Sequence, residues 1–245
     1  IGIIEMLVSL IGFAAVLFLV FLRLPIAIAM GLVGFVGYME IRGFKASISL
    51  VGRLVIDTAQ DYGLSVVPLF ILMGLFVNKG GLSRELYRAS YVFLGHMRGG
   101  LAMATIVACA GFSAICGSSL ATAATMSKVA MPEMRKYKYS DGLATASIAA
   151  GGTLGILIPP SVILVIYGLL TETSIGKLFI AGIVPGFLGV LFYLFAVRFS
   201  VSRDPLAGPA GERAGWNERI KALKDIWAVL LLFFLVIGGL YGFFN

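Results

Sequence analysis

The sequence predicts an all-α integral membrane protein, a multi-span helical bundle with a re-entrant helical hairpin and a broken transmembrane helix. Composition supports this first, because 60% of the 245 residues are hydrophobic and only 13% are charged. Soluble domains carry about 25% charged residues. The other two observations are uncharged stretches at 99–127 and 142–171, which fit neither one nor two ordinary membrane crossings.

Residues 1–97 are expected to form scaffold-type helices. Three uncharged segments approach the length of about 20 residues that a helix needs to cross the hydrocarbon of a bilayer. They cover residues 6–22, 24–39 and 62–78. Two further segments, 42–61 and 82–96, carry charges spaced among apolar residues, which is typical of interfacial amphipathic helices on the membrane surface.

The uncharged stretch between Arg98 and Lys128 predicts a helical hairpin that enters and leaves the membrane on one side. It is long for one crossing and shorter than the roughly 40 residues that two crossings need. Basic residues flank both of its ends, and such residues favour the cytoplasmic side. We therefore expect a re-entrant hairpin over 98–134, with its turn in the sequence GSS at 117–119.

The second uncharged stretch predicts a transmembrane helix over 140–172 that is broken near its centre. Its middle reads GGTLGILIPPS, where Pro159 and Pro160 lack a backbone donor and the glycines weaken the preceding helix. We expect the first half-helix to end near Gly152–Gly155 and the second to begin near Pro160–Ser161.

A helix over 177–198 completes a predicted transport-type unit at 98–199. The next segment, 200–225, contains Pro, Gly and charge, and it predicts a cytoplasmic linker that acts as a hinge. A last transmembrane helix is predicted at 226–245.

The two irregular stretches predict a binding site. Non-helical backbone at membrane depth survives only where protein or a water-filled cavity covers it, and paired broken helices mark transporter binding sites. Helix C-termini attract cations and helix N-termini attract anions. Both stretches lack Asp, Glu, Lys, Arg and His, so neutral oxygens would favour Na⁺ over a proton, Mg²⁺ or Ca²⁺. Close packing of small residues is the alternative explanation.

Two segments of this region resemble a known family. They read GFSAICGSSLATAATMSKVAMPEM and GLATASIAAGGTLGILIPPS. Over most of residues 60–190 the chain resembles the large membrane (permease) subunit of tripartite ATP-independent periplasmic (TRAP) transporters, in its N-terminal half. The resemblance implies half of an inverted-repeat, elevator-type transporter, with the helix at 226–245 starting the missing second half.

The resemblance also implies a function and partners. It implies Na⁺-coupled import of an organic anion, such as a C4-dicarboxylate or sialic acid, through the inner membrane of a bacterium. A periplasmic substrate-binding protein would deliver the organic acid, and a small membrane subunit would complete the transporter within the lipid bilayer. No enzymatic activity is implied.

The site residues that the resemblance implies fall in the two broken regions. The implied Na⁺ ligands are Gly117, Ser118, Ser119, Gly152, Thr153 and Gly155. The implied substrate residues are Ser119, Thr122, Pro159, Pro160 and Ser161.

Features of the sequence also suggest three alternative functions. A channel is one alternative, because re-entrant loops also form selectivity filters. An intramembrane serine protease is another, with Ser113 as nucleophile, but His96 is the only histidine and lies about 25 Å away along a helix. The net charge of +7 is better explained by cytoplasmic loops than by nucleic acid, which we do not expect as a partner.

Overall fold

The computed structural model describes residues 3–61 and 63–240, and the regular structure in these ranges is entirely helical. The predicted all-α class is therefore confirmed. Contacts between residues divide the chain into two compact units that meet at residues 62 and 63. The sequence placed a functional boundary at 97/98 instead, so residues 63–97 share a compact unit with the hairpin. Which helices act as scaffold and which as transport unit stays a prediction.

The first unit holds three helices, α1 (Ile3–Phe21), α2 (Ile26–Arg42) and α3 (Phe44–Gln60). Pro25 precedes α2, and Gly43, at φ 84°, separates α2 from α3. Most apolar side chains of α1 and α2 are exposed, which suits helices whose surroundings are apolar. Helix α3 carries the segment that the sequence predicted to be amphipathic.

The second unit begins with a short 3₁₀ turn, followed by α4 (Val66–Lys79) and α5 (Leu82–Leu94). The predicted hairpin follows as α6 (Gly100–Cys116) and α7 (Ser119–Lys136). Helix α6 is apolar on all sides and buried along nearly its whole length, as expected of a helix surrounded by protein. It contacts α5, α7, α8 and α10, and so forms the centre of this unit.

The broken helix consists of α8 (Asp141–Leu157) and α9 (Val162–Leu170), and α10 (Ile175–Arg203) follows. By length and composition alone, two stretches of the described residues can cross a membrane, namely Asp141–Leu170 and Ile175–Arg203. The chain continues with α11 (Trp216–Asp225) and α12 (Trp227–Leu240). Residues 241–245 of the predicted last helix lie outside the described residues.

The predicted linker at 200–225 is only partly a loop, and its role as a hinge stays a prediction. Helix α10 extends to Arg203, and α11 occupies the end of the segment, which leaves a loop at 204–215. This segment, called the base loop, packs where the hairpin begins and ends. The Gly99 N–H donates to the Gly208 carbonyl (2.9 Å), and the Ser140 N–H donates to the Ala207 carbonyl (3.0 Å).

Tyr139 adds two further bonds at the same place. Its hydroxyl donates to the Pro209 carbonyl (2.8 Å) and accepts from the Leu101 N–H (3.1 Å). Burial raises the pKa of the Tyr139 phenol, so the proton that it donates stays in place at physiological pH. The base loop is therefore tied to the hairpin base, the end of the hairpin opposite its turn.

Candidate functional site

The hairpin turns at Gly117 and Ser118, as the sequence predicted. Gly117 has φ 60°, and its N–H donates to the Ser113 carbonyl (2.9 Å), which ends α6. Ser118 is extended, and its hydroxyl accepts from the Ala121 N–H (3.4 Å) as the N-cap of α7. A left-handed glycine followed by a capping serine reverses the chain within two residues.

The break in the second helix lies at residues 158–161, later than predicted. Helix α8 continues to Leu157, so Gly152, Thr153 and Gly155 are helical, and the expectation that the first half ends at Gly152–Gly155 is wrong. The helix ends where Pro159 and Pro160, joined by a cis peptide bond, supply no N–H groups. Ser161 then caps α9 and donates its hydroxyl to the Ile156 carbonyl (3.0 Å).

The hairpin turn and the break touch each other. The Val162 N–H at the start of α9 donates to the Gly117 carbonyl (3.3 Å). A Cβ atom at Gly117 would lie 3.0 Å from the Pro160 carbonyl oxygen and 3.2 Å from the Val162 nitrogen. The hairpin turn and the break therefore meet at Gly117, where both the close backbone atoms and φ 60° favour a residue without a side chain.

The glycines of α8 place that helix against α7. A Cβ at Gly155 would lie 2.8 Å from the carbonyl carbon of Ser118 and 2.9 Å from the Ser119 nitrogen. A Cβ at Gly152 would lie 2.8 Å from the Cβ of Ala123. These residues are thus brought to the hairpin turn by close packing inside a continuous helix, and not by unwinding of that helix.

Thr153 is separated from this contact. Its hydroxyl donates to the Ala150 carbonyl (2.7 Å) and lies 2.9 Å from the hydroxyl of Tyr193 on α10. Thr153 is exposed, whereas Gly152 and Gly155 on either side of it are buried. The structure therefore brings five of the six predicted cation residues together and turns the Thr153 side chain towards α10.

Two buried hydroxyls near the turn have no hydrogen-bond partner within the described residues. They belong to Ser113, one helical turn before Gly117, and to Thr122, in the first turn of α7, and both residues are fully buried. Buried polar atoms without a protein partner are rare, and bound water or an ion is a common explanation. Thr122 was among the predicted residues, whereas Ser113 was considered only as a nucleophile.

The protease alternative finds no support in this geometry. The Ser113 hydroxyl and the His96 Nδ1 atom are both buried without a hydrogen-bond partner in the described parts of the chain. A serine nucleophile needs its base within hydrogen-bond reach. These two side chains do not form such a pair.

The site also borders α4, a helix that the sequence predicted within 62–78 without connecting it with the site. Helix α4 packs on the end of α6, where a Cβ at Gly74 would lie 3.2 Å from the Cys116 sulfur. The contact of Tyr193 with Thr153 was not predicted either, because the two residues are 40 positions apart in the sequence. No local signal could have identified either residue, since both act through contacts between distant segments.

The residues at the turn and the break fit a monovalent cation. Two helix C-termini, those of α6 and α8, meet two helix N-termini, those of α7 and α9, so carbonyl groups and N–H groups converge. In the described ranges no group of three or more His, Cys, Asp or Glu side chains could hold a metal ion. Neutral carbonyl and hydroxyl oxygens with two unpartnered hydroxyls are a donor set suited to Na⁺ and poor for Mg²⁺ or Ca²⁺.

Comparison with known proteins agrees with the sequence-based resemblance. Residues 13–245 match the family model described as the tripartite ATP-independent periplasmic transporter, DctM component. The chain is 36% identical over 231 residues to a C4-dicarboxylate TRAP transporter large permease protein of Vibrio cholerae, which covers 94% of this chain and 50% of that protein. The corresponding protein of Pseudomonas aeruginosa is 41% identical over 186 residues, covering 76% of this chain and 43% of that protein.

An ectoine TRAP transporter large permease protein of Halomonas elongata is 32% identical over 230 residues, covering 94% of this chain and 53% of that protein. The chain thus spans about half the length of the curated relatives it matches. The relatives are named as large permease proteins of TRAP transporters, which agrees with the predicted membrane location and with the expectation of a permease subunit rather than an enzyme. The chain belongs to the DctM family of tripartite ATP-independent periplasmic transporters.

Proposed function

We propose that this chain forms half of a Na⁺-coupled secondary transporter that imports an organic anion. A periplasmic binding protein would deliver the solute, and a small membrane subunit would complete the complex. The relatives support a small organic solute, since their names include C4-dicarboxylate, ectoine and sialic acid. A carboxylate-bearing solute agrees best with the helix N-termini at the site.

One observation carries the proposal, namely the contact between the hairpin turn and the break. The hydrogen bond from Val162 to Gly117 joins the N-terminus of α9 to the C-terminus of α6. The packing of Gly155 on Ser118 joins α8 to the N-terminus of α7. Four helix ends are thereby collected at one place, which concentrates backbone charge of both signs.

The proposed cation site uses carbonyl and hydroxyl oxygens near the hairpin turn. Gly117, Ser118 and Ser119 supply backbone oxygens and the Ser118 hydroxyl, while Gly152 and Gly155 let α8 approach. The unpartnered hydroxyls of Ser113 and Thr122 join the set. Thr153 is left out because its hydroxyl contacts Tyr193. A bound Na⁺ would supply the positive charge that an anionic solute needs in an apolar surrounding.

The proposed solute site lies beside the cation site. Ser119 is half-buried and next to the exposed Leu120, so the start of α7 is accessible to a solute. Pro160 and Ser161 are fully buried and shape the site from behind. The N–H groups at the start of α7 are the nearest backbone donors for a carboxylate.

The test compares two capping serines with different places in the fold. Ser118 and Ser140 both accept from the backbone N–H three residues on, but only Ser118 lies at the hairpin turn. Replacing either by Ala removes a cap that is worth about 0.5–2 kcal/mol of stability. In proteoliposomes of the complete transporter, Ser118→Ala should raise the Na⁺ concentration for half-maximal uptake about tenfold, which equals roughly 1.4 kcal/mol of lost cation binding.

Ser140→Ala should lower thermal stability by about as much as Ser118→Ala does, because each removes one cap, and it should leave the Na⁺ dependence unchanged. Equal Na⁺ dependence in the wild type and in Ser118→Ala would contradict the cation site. Uptake that needs no Na⁺ gradient in the wild type would contradict the proposed coupling itself.

A further inference from the structure

An apolar groove of about 860 Å³ lies within the second unit and reaches the break at Ile158 and Pro159. It is bordered by α5, α6, α10, α11 and α12 and is open on one side. Among the described residues that line it, Ser90 alone has a polar side chain, and the Ser90 hydroxyl already donates to the Leu86 carbonyl (2.8 Å). The groove therefore has nothing to offer a carboxylate and suits a hydrocarbon occupant.

The groove has a definite direction and length. On α10 it follows a single stripe of side chains, each about one turn from the next, from the break towards the hairpin base: Ile183, Phe187, Val190 and Leu194. The first end lies near the break, because a Cβ at Gly182 would lie 2.9 Å from the Leu157 carbonyl. The other end lies near the hairpin base, because a Cβ at Gly99 would lie 3.1 Å from Val197.

The stripe covers eleven steps of helix, or about 16 Å at 1.5 Å per residue. Half the hydrocarbon thickness of a bilayer is about 15 Å. The length of the groove along α10 therefore matches the hydrocarbon thickness of one leaflet, and so the length of a lipid acyl chain. Its floor on α6 contains the small residues Ala110, Gly111 and Ala114, which leave room for such a chain.

The guanidinium group of Arg219 lies at the end of the groove near the hairpin base. The guanidinium carbon of Arg219 lies 5.7 Å from the ring centre of Phe93, which lines the groove, and 5.2 Å from that of Trp216. Its Nε atom is buried and has no hydrogen-bond partner in the described part of the chain. No described carboxylate forms an ion pair with Arg219 within 4 Å, and the ion pair that is seen joins Arg135 to Asp141.

We propose that this groove binds one anionic phospholipid, with an acyl chain along α10 and the phosphate at Arg219. An unpaired guanidinium offers a phosphate two parallel hydrogen bonds, and Trp216 is the residue type that prefers the headgroup level of a membrane. Basic pockets between helices recognise anionic headgroups in this way. The apolar length and the charge at one end match a single amphiphile, whereas an apolar helix would leave Arg219 without a counter-charge.

The test uses the complete transporter in lipid nanodiscs with equal amounts of phosphatidylglycerol and phosphatidylcholine. A photoreactive benzophenone amino acid replaces Phe187 in the groove, and in a matched control it replaces Phe195, which is exposed on the same helix and does not line the groove. After illumination, mass spectrometry of the intact chain identifies the adduct. The ratio of phosphatidylglycerol to phosphatidylcholine adducts should be about fivefold higher at position 187 than at 195, the factor that one basic residue supplies.

Two further changes separate the charge from the shape. Arg219→Gln should lower the ratio at position 187 to that at 195, whereas Lys221→Gln, on the same helix but about 200° around its axis, should leave it unchanged. Ala110→Leu, and more strongly Ala110→Trp, should fill the floor and reduce both lipid adducts at position 187 but not at 195.

Equal adduct ratios at the two positions would overturn the proposal and make the lipid ordinary bilayer solvent. A cross-link from position 187 to protein alone would overturn it too, and would assign the groove to another helix of the transporter. An unchanged ratio in Arg219→Gln would remove the headgroup contact on which the choice of an anionic lipid depends.

Discussion

The contact between α8 and the hairpin turn can be tested by adding one methyl group to Gly155. The Cβ of Gly155→Ala would lie 2.8–2.9 Å from the carbonyl carbon and oxygen of Ser118 and from the Ser119 nitrogen. Ordinary contacts begin at 3.4 Å, so the hairpin turn must retreat by about 0.6 Å. The neighbours are backbone atoms, which cannot rotate away as a flexible side chain would.

The expected cost follows from two opposing terms. Overpacking of a well-packed interior costs about 1–3 kcal/mol. Replacing a glycine inside a helix by alanine stabilises the helix by about 1 kcal/mol. Because the neighbours are backbone atoms, the overpacking cost falls at about 2–3 kcal/mol and the net loss is about 1–2 kcal/mol. This loss falls on the turn that carries the proposed cation ligands. A displacement worth 1–2 kcal/mol changes a binding equilibrium about 5- to 30-fold.

The assay is Na⁺-dependent solute uptake by the complete transporter in proteoliposomes, together with the melting temperature of the purified protein. Gly155→Ala should raise the Na⁺ concentration for half-maximal uptake by about 5- to 30-fold. Gly142→Ala is the matched control, because Gly142 lies on the same helix and a Cβ there would meet no atom within 4 Å. Unchanged Na⁺ dependence in Gly155→Ala, with a melting temperature like that of Gly142→Ala, would refute the argument.

Two predictions concern the base loop and are read from the melting temperature. Tyr139→Phe should destabilise the fold by about 1–3 kcal/mol, because it leaves the buried Leu101 N–H and the partly buried Pro209 carbonyl without a partner, whereas Tyr167→Phe, at an exposed ring, should change little. Gly208→Ala should destabilise it too, because the Cβ would lie 3.0–3.1 Å from three neighbours including the Cα of Gly99. Gly215→Ala, whose Cβ would meet nothing within 4 Å, should lose only the small preference for glycine over alanine at the N-cap of α11, and equal melting temperatures within either pair would contradict the packing described.

The hairpin was predictable because its signals are local. An uncharged stretch too long for one crossing and too short for two predicted the hairpin, and a glycine before two serines predicted its turn. The same kind of reading misplaced the break, because Gly152 and Gly155 were taken as helix-weakening residues. They are instead the positions where α7 comes too close for a side chain. A sequence does not say whether a helical glycine weakens a helix or admits a neighbour, since that depends on the other helix.

The base loop shows a second limit of local reasoning. Its composition of Pro, Gly and charge is typical of a mobile linker. Its order comes from backbone groups that pair across long sequence distances, as between Gly99 and Gly208 or between Ser140 and Ala207. Each of these bonds joins ordinary backbone atoms, so no residue type reveals it.

The hairpin is consequently held at both ends, and this restricts how it can move. Its turn is bonded to the break through Gly117 and Val162, and its base is bonded to the base loop, which continues directly from α10. Opening at the turn would break the first contact, and swinging at the base would separate the Tyr139 hydroxyl from its partners, of which the Leu101 N–H is buried. Movement of the hairpin, α8, α9 and α10 as one body breaks neither set of bonds. The contacts therefore favour rigid-body displacement over a local gate as the way such a site would change its exposure.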